Sequence, residues 1–296
     1  MITHTNELVI NWHITNRCNF DCVFCFAKWQ GKCHEKELIT NQSSAIHFLN
    51  ELYQFFAPGN NKNPLSSALT WSSIRLNFAG GEPLLLGKNL VTIMQEAKRI
   101  GFQTSLITNG SKLSESNIED IAKNTDMIGF SIDSNLPEVN IRIGRKWSKE
   151  KTIDTTNLIY CIKKMKELNP EIKIKVNTVV NKLNYTEDLT HIINSIRPHK
   201  WKLLKVLPLI DDTLSISDLE FFHFVDNHHE LKDIISIEDN DDMIESYLMI
   251  DPHGRFFQNK SLNQQYLYSD PIPEVGADIA FKQTEINSLK FASRYL

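Results

Sequence analysis

The sequence predicts an α/β fold built on a parallel sheet, and three observations carry that prediction. Short apolar runs rich in β-branched residues alternate with stretches of helical period, six times before Pro208. Such a β-then-α alternation is the pattern of parallel strands joined by crossover helices. At 296 residues, 41% hydrophobic and 23% charged, the chain has globular proportions and enough length to bury a sizeable core.

The elements follow in order. LVINWHI (8–14) is the first strand and runs into a cluster of cysteines. A helix is expected from about Asn41 to Phe56, because Ile46, Leu49, Leu52, Tyr53 and Phe56 fall on one face and Asn41 or Ser43 can cap it. PGNNKNP (58–64) is a loop by composition. SIRLNFA (73–79) is the second strand, with a helix around 88–100. TSLIT (104–108) is the third, with a helix around 114–123. MIGFSI (127–132) is the fourth, with a helix around 152–168. IKIKVNTVV (172–180) is the fifth, with a helix around 186–196, and WKLLKVL (201–207) is the sixth. Six units fall short of the eight that close a barrel, so the expectation is a partial, open (β/α)6 TIM-type barrel.

Beyond Pro208 the pattern changes. Residues 211–246 read as acidic and irregular, with DD at 211 and EDNDD at 238–242. YLMIDPHGRFFQ (247–258) reads as a hairpin, Pro252 and Gly254 suiting the second and fourth positions of a β-turn. A terminal helix is expected from Ile279. The expected organisation is residues 1–210 as the barrel, with the cysteine loop at 18–25, and 211–296 as a C-terminal extension closing the substrate site within one continuous domain. The net charge of −4 gives no case for nucleic-acid binding. No apolar run approaches a membrane span, and MITHTNE is no signal peptide. Five clustered cysteines suit a reducing compartment, hence a cytoplasmic protein.

The segment CNFDCVFC (18–25) carries chemistry. Structural zinc commonly takes four ligands, and His13, Cys33 or His34 would have to supply the fourth. Thiolates are the usual ligands of iron–sulfur clusters, and three of them leave one iron of a [4Fe-4S] cluster open for something else.

C-x3-C-x2-C behind a first strand, with Phe24 just before the last cysteine, resembles the radical S-adenosylmethionine (SAM) superfamily. GGEP (80–83), ending the second strand, strengthens the resemblance. The resemblance implies that Cys18, Cys22 and Cys25 hold a [4Fe-4S] cluster whose open iron chelates SAM. It implies that Phe24, Gly80, Gly81 and Glu82 contact SAM, Glu82 accepting from its ammonium. Asn109 and Ser131, at the ends of the third and fourth strands, would hold the ribose and carboxylate, with Arg145 helping on the carboxylate. Cys33 and Cys161 read as plain thiols.

Alternate residues of a strand face opposite ways. Arg75 and Asn77 therefore oppose Ile74, Leu76 and Phe78. Lys173, Lys175 and Asn177 oppose Ile172, Ile174 and Val176. Lys200 and Lys202 oppose Trp201 and Leu203, and Asn11 shares a face with His13. If the polar faces line the interior, the pocket is cationic, and buried cations without partners imply an anionic ligand. Arg75, Lys175, Lys200 and Lys202 together match a triphosphate.

With these faces, the stretches NWHITNRCNFDCVFCF, IRLNFAGGEP, ITNGS, SIDSNLPEVNIRIGR, IKVNTVVNKLNYTED, RPHKWKLLKVLPLI and ESYLMIDPHGRF resemble the viperins, over about residues 8–281. Viperins are radical SAM enzymes that dehydrate a nucleoside triphosphate to its 3′-deoxy-3′,4′-didehydro analogue, an antiviral chain terminator. The resemblance implies that a 5′-deoxyadenosyl radical takes the ribose 4′ hydrogen and the 3′ hydroxyl leaves as water. An electron and a proton then complete the product. By the resemblance Arg75, Lys175, Lys200 and Lys202 grip the triphosphate, Asn11 and Asn177 place the ribose, and Tyr247 is the candidate final donor, a buried core tyrosine being its other reading. A cellular one-electron reductant and a monomeric state are implied. The chain starts almost at the first strand, so the prokaryotic type without a membrane helix is expected. Ala79 stands where animal viperins have serine, Lys200 where they have arginine, and SRYL (293–296) does not match their C-terminus. These departures leave CTP, UTP and GTP open, with a lean to CTP. Two other readings stand beside this one: a radical SAM enzyme acting on a peptide or another phosphorylated metabolite, and a non-enzymatic metal-binding regulator.

Overall fold

A computed structural model describes residues 2–27, 36–149, 151–209, 211–259, 266–284 and 286–295. In chain order the strands are β1 (Thr3–His13), β2 (Leu69–Ala79), β3 (Gln103–Thr108), β4 (Met127–Ser131), β5 (Lys173–Val180), β6 (Lys200–Lys205), β7 (Ile235–Glu238), β8 (Leu248–Ile250), β9 (Arg255–Gln258) and β10 (Leu267–Pro271). The helices are α1 (Gln42–Phe56), α2 (Lys88–Ile100), α3 (Ile118–Lys123), α4 (Pro137–Arg142), α5 (Thr155–Leu168), α6 (Thr190–Ile196), α7 (Asp218–Asn227), α8 (Asn240–Met243), α9 (Ile272–Val275), α10 (Ala277–Lys282) and α11 (Ser288–Ser293). The alternation legible before Pro208 is borne out strand by strand, with Asn41 as the cap of α1, accepting from Ser44 N. No helix of the described residues is long and apolar enough to cross a membrane.

The described residues fall into two compact units. The first lies within Met1–Asn16, Gln30–Ser105 and Met243–Leu296. Its strand order is β10-β9-β8-β1-β2, followed by the first half of β3. β1 pairs parallel with both β2 and β8, and the β8–β9 pair is the antiparallel hairpin expected at 247–258. Its turn closes where Gly254 N donates to Asp251 O at 3.1 Å, while the Asp251 carboxylate accepts from His253 N and Arg255 N at 2.9 Å each. The core of this unit packs Trp12, Phe48, Phe56, Phe78 and Phe256, all fully buried.

The second unit lies within Arg17–Trp29 and Leu106–Asp242, with order β3-β4-β5-β6-β7. All the pairs from β4 to β7 are parallel. β5 shows the predicted alternation, with Ile174, Val176, Thr178 and Val180 buried and Lys173, Lys175, Asn177 and Val179 less so.

Residues 211–246 are not irregular. They hold α7, capped by Ser217 and Glu220 in a reciprocal capping box, and β7, a further parallel strand beside β6. The S-x-x-E of SDLE is the sequence signature of such a cap. Phe221 and Phe224 anchor the helix in the core despite the acidic composition around them. The chain end forms two short helices, α10 and α11, in place of one.

Candidate active site

The cysteine loop is built in the second unit. Cys18 is exposed, Cys25 half-buried and Cys22 buried, and all three are free thiols. Two backbone bonds fix the loop: Asp21 N donates to Gly144 O and Val23 N to Ile143 O, each at 3.1 Å. Gly144 has φ +82°, and a Cβ there would stand 2.9 Å from Cys22 Cα, so only glycine lets the two segments touch. At the loop's other end Asn19 Nδ2 donates to Ser111 Oγ at 2.8 Å and Asn109 Nδ2 donates to Asn19 Oδ1 at 3.1 Å. Asn109 also accepts from Ser111 N at 2.9 Å. Asn109, which the resemblance assigns to SAM, ties down the cysteine loop.

Arg145 follows Gly144 directly. Its guanidinium pairs with the buried Asp133 and lies over the Phe24 ring, 5.4 Å from the centroid. Asp133 is itself held by Val179 N at 2.7 Å. Burial pushes the Cys22 thiol up to about 12, with the positive Arg145 acting in the opposite direction. In the metal-free chain Cys22 is thus a neutral thiol, and binding a metal must displace its proton.

The donor set fits an iron–sulfur cluster. Among the described residues no three His, Cys, Asp or Glu side chains converge on one point as a single ion requires. In a cluster each thiolate holds its own iron, so wider spacing is what such a site needs. The possible zinc ligands Cys33 and His34 lie outside the described residues. His13 is buried edge-on against Phe257, its pKa lowered to about 3 by burial. Cys161 is buried on α5, its thiol pKa raised by burial.

On the strands of this unit, register sets the polar residues side by side. Ser131 pairs with Asn177, Asn177 with Lys202, and Lys202 with Ser236. One step back, Gly129 pairs with Lys175 and Lys175 with Lys200. Paired residues of a parallel sheet share a face, so the shared parity read from sequence becomes one lateral array. Asn177 Oδ1 is buried and has no hydrogen-bond partner. A buried acceptor in that state is costly until a ligand satisfies it.

The first unit carries GGEP. Gly80 has φ +134°, and a Cβ would meet Thr15 O at 2.6 Å. Gly81 N donates to the same Thr15 carbonyl at 2.8 Å. The turn is thus packed against the backbone that follows β1, a close approach within the chain as well as a candidate approach to a ligand. Glu82 is fully buried and accepts from Leu84 N at 3.0 Å. Asn11, Asn77 and Ser105 form a chain: Ser105 Oγ donates to Asn77 Oδ1 at 2.7 Å, and Asn77 Nδ2 to Asn11 Oδ1 at 2.9 Å.

Arg75 and Lys202 have carboxylate partners inside the chain. Arg75 Nε pairs with Glu7 at 2.9 Å across β1 and β2. Lys202 is paired with Glu238 of β7, both nearly buried. The sequence argument that these cations imply an external anion therefore holds less weight for this pair. Glu238 was read as part of an acidic irregular stretch, and its pairing depends on the strand that stretch forms.

Tyr247 lies under Arg294, whose guanidinium is 3.6 Å from the ring centroid. Arg294 also donates to Ser246 O at 3.0 Å, and Tyr295 OH accepts from Val9 N at 3.1 Å. Arg294 and Tyr295, in the SRYL ending that departs from the animal viperins, thus pack on the hairpin and β1. Sequence reasoning missed Glu7, Asp133, Glu238 and Arg294. Asp133 alone left a signal, sharing strand parity with Ser131.

Comparison with known proteins gives this geometry a context. The family model described as "Radical SAM superfamily" matches residues 12–196. The chain is 42% identical over 98% of its length to the S-adenosylmethionine-dependent nucleotide dehydratase of Psychrobacter lutiphocae, covering 95% of that protein. It is 39% identical over 99% of its length to that of Pseudoalteromonas ulvae, covering 94%. Among solved structures it resembles native anSMEcpe with bound AdoMet, with a TM-score of 0.64 at 14% identity, covering 98% of this chain and 82% of that one. That likeness establishes the fold, an α/β architecture whose parallel sheet is not closed. From the sequence matches and the cysteine loop together, this chain belongs to the radical SAM superfamily and, within it, to the viperin-like nucleotide dehydratases.

Proposed function

We propose that this protein dehydrates a nucleoside triphosphate to its 3′-deoxy-3′,4′-didehydro analogue, an antiviral chain terminator. The observation that carries the reading is the lateral array Ser131–Asn177–Lys202 with Lys175 and Lys200, in a chain whose relatives are nucleotide dehydratases over nearly full length. When bound, the cluster and SAM supply a 5′-deoxyadenosyl radical that removes the ribose 4′ hydrogen.

The chain's own residues then have distinct work. Cys18, Cys22 and Cys25 hold the cluster. Phe24, Gly80, Gly81, Glu82, Asn109, Ser131 and Arg145 hold SAM, with Arg145 kept in place by Asp133. Lys175, Lys200, Lys202 and Arg75 hold the phosphates. For Arg75 and Lys202 this requires sharing their charge with Glu7 and Glu238. Asn11 and Asn177 orient the ribose, the orphaned Asn177 oxygen accepting from a sugar hydroxyl. Tyr247 is the final donor, kept in place by Arg294. Holding the donor close to the reacting carbon is what this chemistry requires. Residues 211–296 close the substrate site. The protein works as a monomer, and in the cytoplasm, the latter reading supported by the free cysteines among the described residues.

The test is anaerobic. After cluster reconstitution, SAM and dithionite are added with CTP, UTP, GTP or ATP singly, and 5′-deoxyadenosine is quantified. A strong rise with one triphosphate supports the reading and identifies the base, with CTP expected. Turnover that ignores all four defeats it and leaves a radical SAM enzyme acting on another substrate.

A further inference from the structure

We propose that Glu238 of β7 is a specificity-determining residue of the substrate site: it holds Lys202 as an internal substitute for a phosphate and yields it only to a polyphosphate. The proposal deepens the function above and rests on it for placing Lys202 at the phosphates. Strand register supplies the geometry. Lys202 lies opposite Asn177 on β5 and Ser236 on β7, and two residues further along Leu204 lies opposite Val179 and Glu238. Paired residues share a face, and so do residues two apart on one strand. Ser236 and Glu238 therefore share the face of Asn177 and Lys202, the face assigned above to the nucleotide. There the Glu238 carboxylate contacts the Lys202 ammonium, and the two side chains are only 13% and 8% exposed. Glu238 is the last residue of β7, and barrel folds place their ligands at that end of their strands.

The charges decide what this contact does. A buried ammonium is stable only with a counter-charge, and in the ligand-free protein Glu238 supplies one to Lys202. A phosphate that reaches Lys202 meets the Glu238 carboxylate beside it, and like charges opposed in a shielded site repel. A ligand takes Lys202 only when it attracts the ammonium more strongly than one carboxylate does. Inorganic phosphate and monophosphates bring a single phosphoryl group. A polyphosphate chain brings several, and it also spans to the row behind, where Lys175 lies opposite Lys200, about 6.6 Å back along the strand. The carboxylate that steadies the ligand-free site thus raises the charge needed to fill it, a repulsive element that selects by rejecting the weaker competitor. No covalent bond changes: the ammonium exchanges one oxygen partner for another.

The test compares reconstituted wild-type enzyme with Glu238→Gln, which keeps the shape and an oxygen for Lys202 and removes only the charge. Inorganic tripolyphosphate and inorganic phosphate are the probes, at constant ionic strength and without magnesium. Binding is read by calorimetry, and the unfolding midpoint is read with and without probe. Ligand-free Glu238→Gln should unfold at a lower temperature than wild type. It should bind tripolyphosphate about tenfold more tightly, and the gap in affinity between tripolyphosphate and phosphate should narrow roughly threefold or more. A lowered midpoint with unchanged or weaker tripolyphosphate binding would make the pair a structural brace and overturn the proposal, and so would an unchanged gap between the two probes. Should Glu238→Gln lose iron or fail to fold, Glu238→Asp decides, because it draws the carboxylate back by one methylene. Tripolyphosphate binding tighter by roughly two- to three-fold supports the proposal, and no change or a weakening overturns it. Tighter, charge-dependent binding in an enzyme whose SAM cleavage ignores every nucleotide would defeat the proposed function and leave Glu238 guarding an anion site. Nucleotide-driven SAM cleavage, with Glu238→Gln binding both probes as wild type does, would overturn the role of Glu238 alone.

Discussion

Gly144→Ala should release the cysteine loop. Gly144 sits at φ +82°, where a side chain costs about 1–2 kcal/mol. Its new Cβ would lie 2.7 Å from the Asp21 carbonyl carbon and 2.9 Å from Cys22 Cα, nearer still to the Asp21 oxygen. Real Cβ contacts essentially never fall under 3.0 Å, and every one of these atoms is backbone. The two segments must therefore part, which stretches the Asp21–Gly144 and Val23–Ile143 hydrogen bonds, each at 3.1 Å. At about 1 kcal/mol per bond, added to the backbone term, the docked loop loses roughly 3–4 kcal/mol in all. Because the three thiols must be held together before they can take a cluster, the expected outcome is iron and sulfide well below wild type after identical reconstitution. The unfolding midpoint of the metal-free protein should fall much less, since the loop is peripheral to the core. Full iron loading with an unaltered cluster spectrum would refute the reasoning.

Other predictions follow from the same geometry. His13, its pKa lowered to about 3 by burial, is neutral in the folded chain, while the unfolded chain protonates it near 6.5. Its stability contribution is therefore complete above pH 6.5 and falls by about 1.4 kcal/mol per pH unit between 6.5 and 3. Urea titrations at pH 7.5 and 5.5 should show a smaller drop for His13→Asn than for wild type, and equal drops would sink the assignment. Lys202→Met leaves Glu238 without its partner and should cost about 3 kcal/mol or more in chemical unfolding. The double variant with Glu238→Leu should recover much of that loss, and additive losses would show that the pair is not coupled. Tyr247→Phe keeps the ring under Arg294 and removes the hydroxyl. 5′-Deoxyadenosine should still form while dehydrated nucleotide falls, and unchanged product yield would remove Tyr247 from the donor role. Lys175→Ala should raise the KM for nucleotide with SAM affinity intact; an unchanged KM would place Lys175 outside the pocket.

The sequence by itself determined the strand-and-helix alternation, because side-chain periodicity is a local property. LVINWHI, SIRLNFA and IKIKVNTVV each became the strand their apolar spacing required. It also determined the cysteine loop and GGEP, whose meaning lies in spacing along the chain. The tertiary structure decided which charges have partners. Glu7 and Glu238 stand far in sequence from Arg75 and Lys202, and only strand register brings each pair into contact. It also revealed α7 and β7 within an acidic stretch, since two buried phenylalanines and a capping box outweigh composition there. What SRYL does was settled in the same way: Arg294 on Tyr247 and Tyr295 on β1 are contacts between segments that local pattern cannot relate.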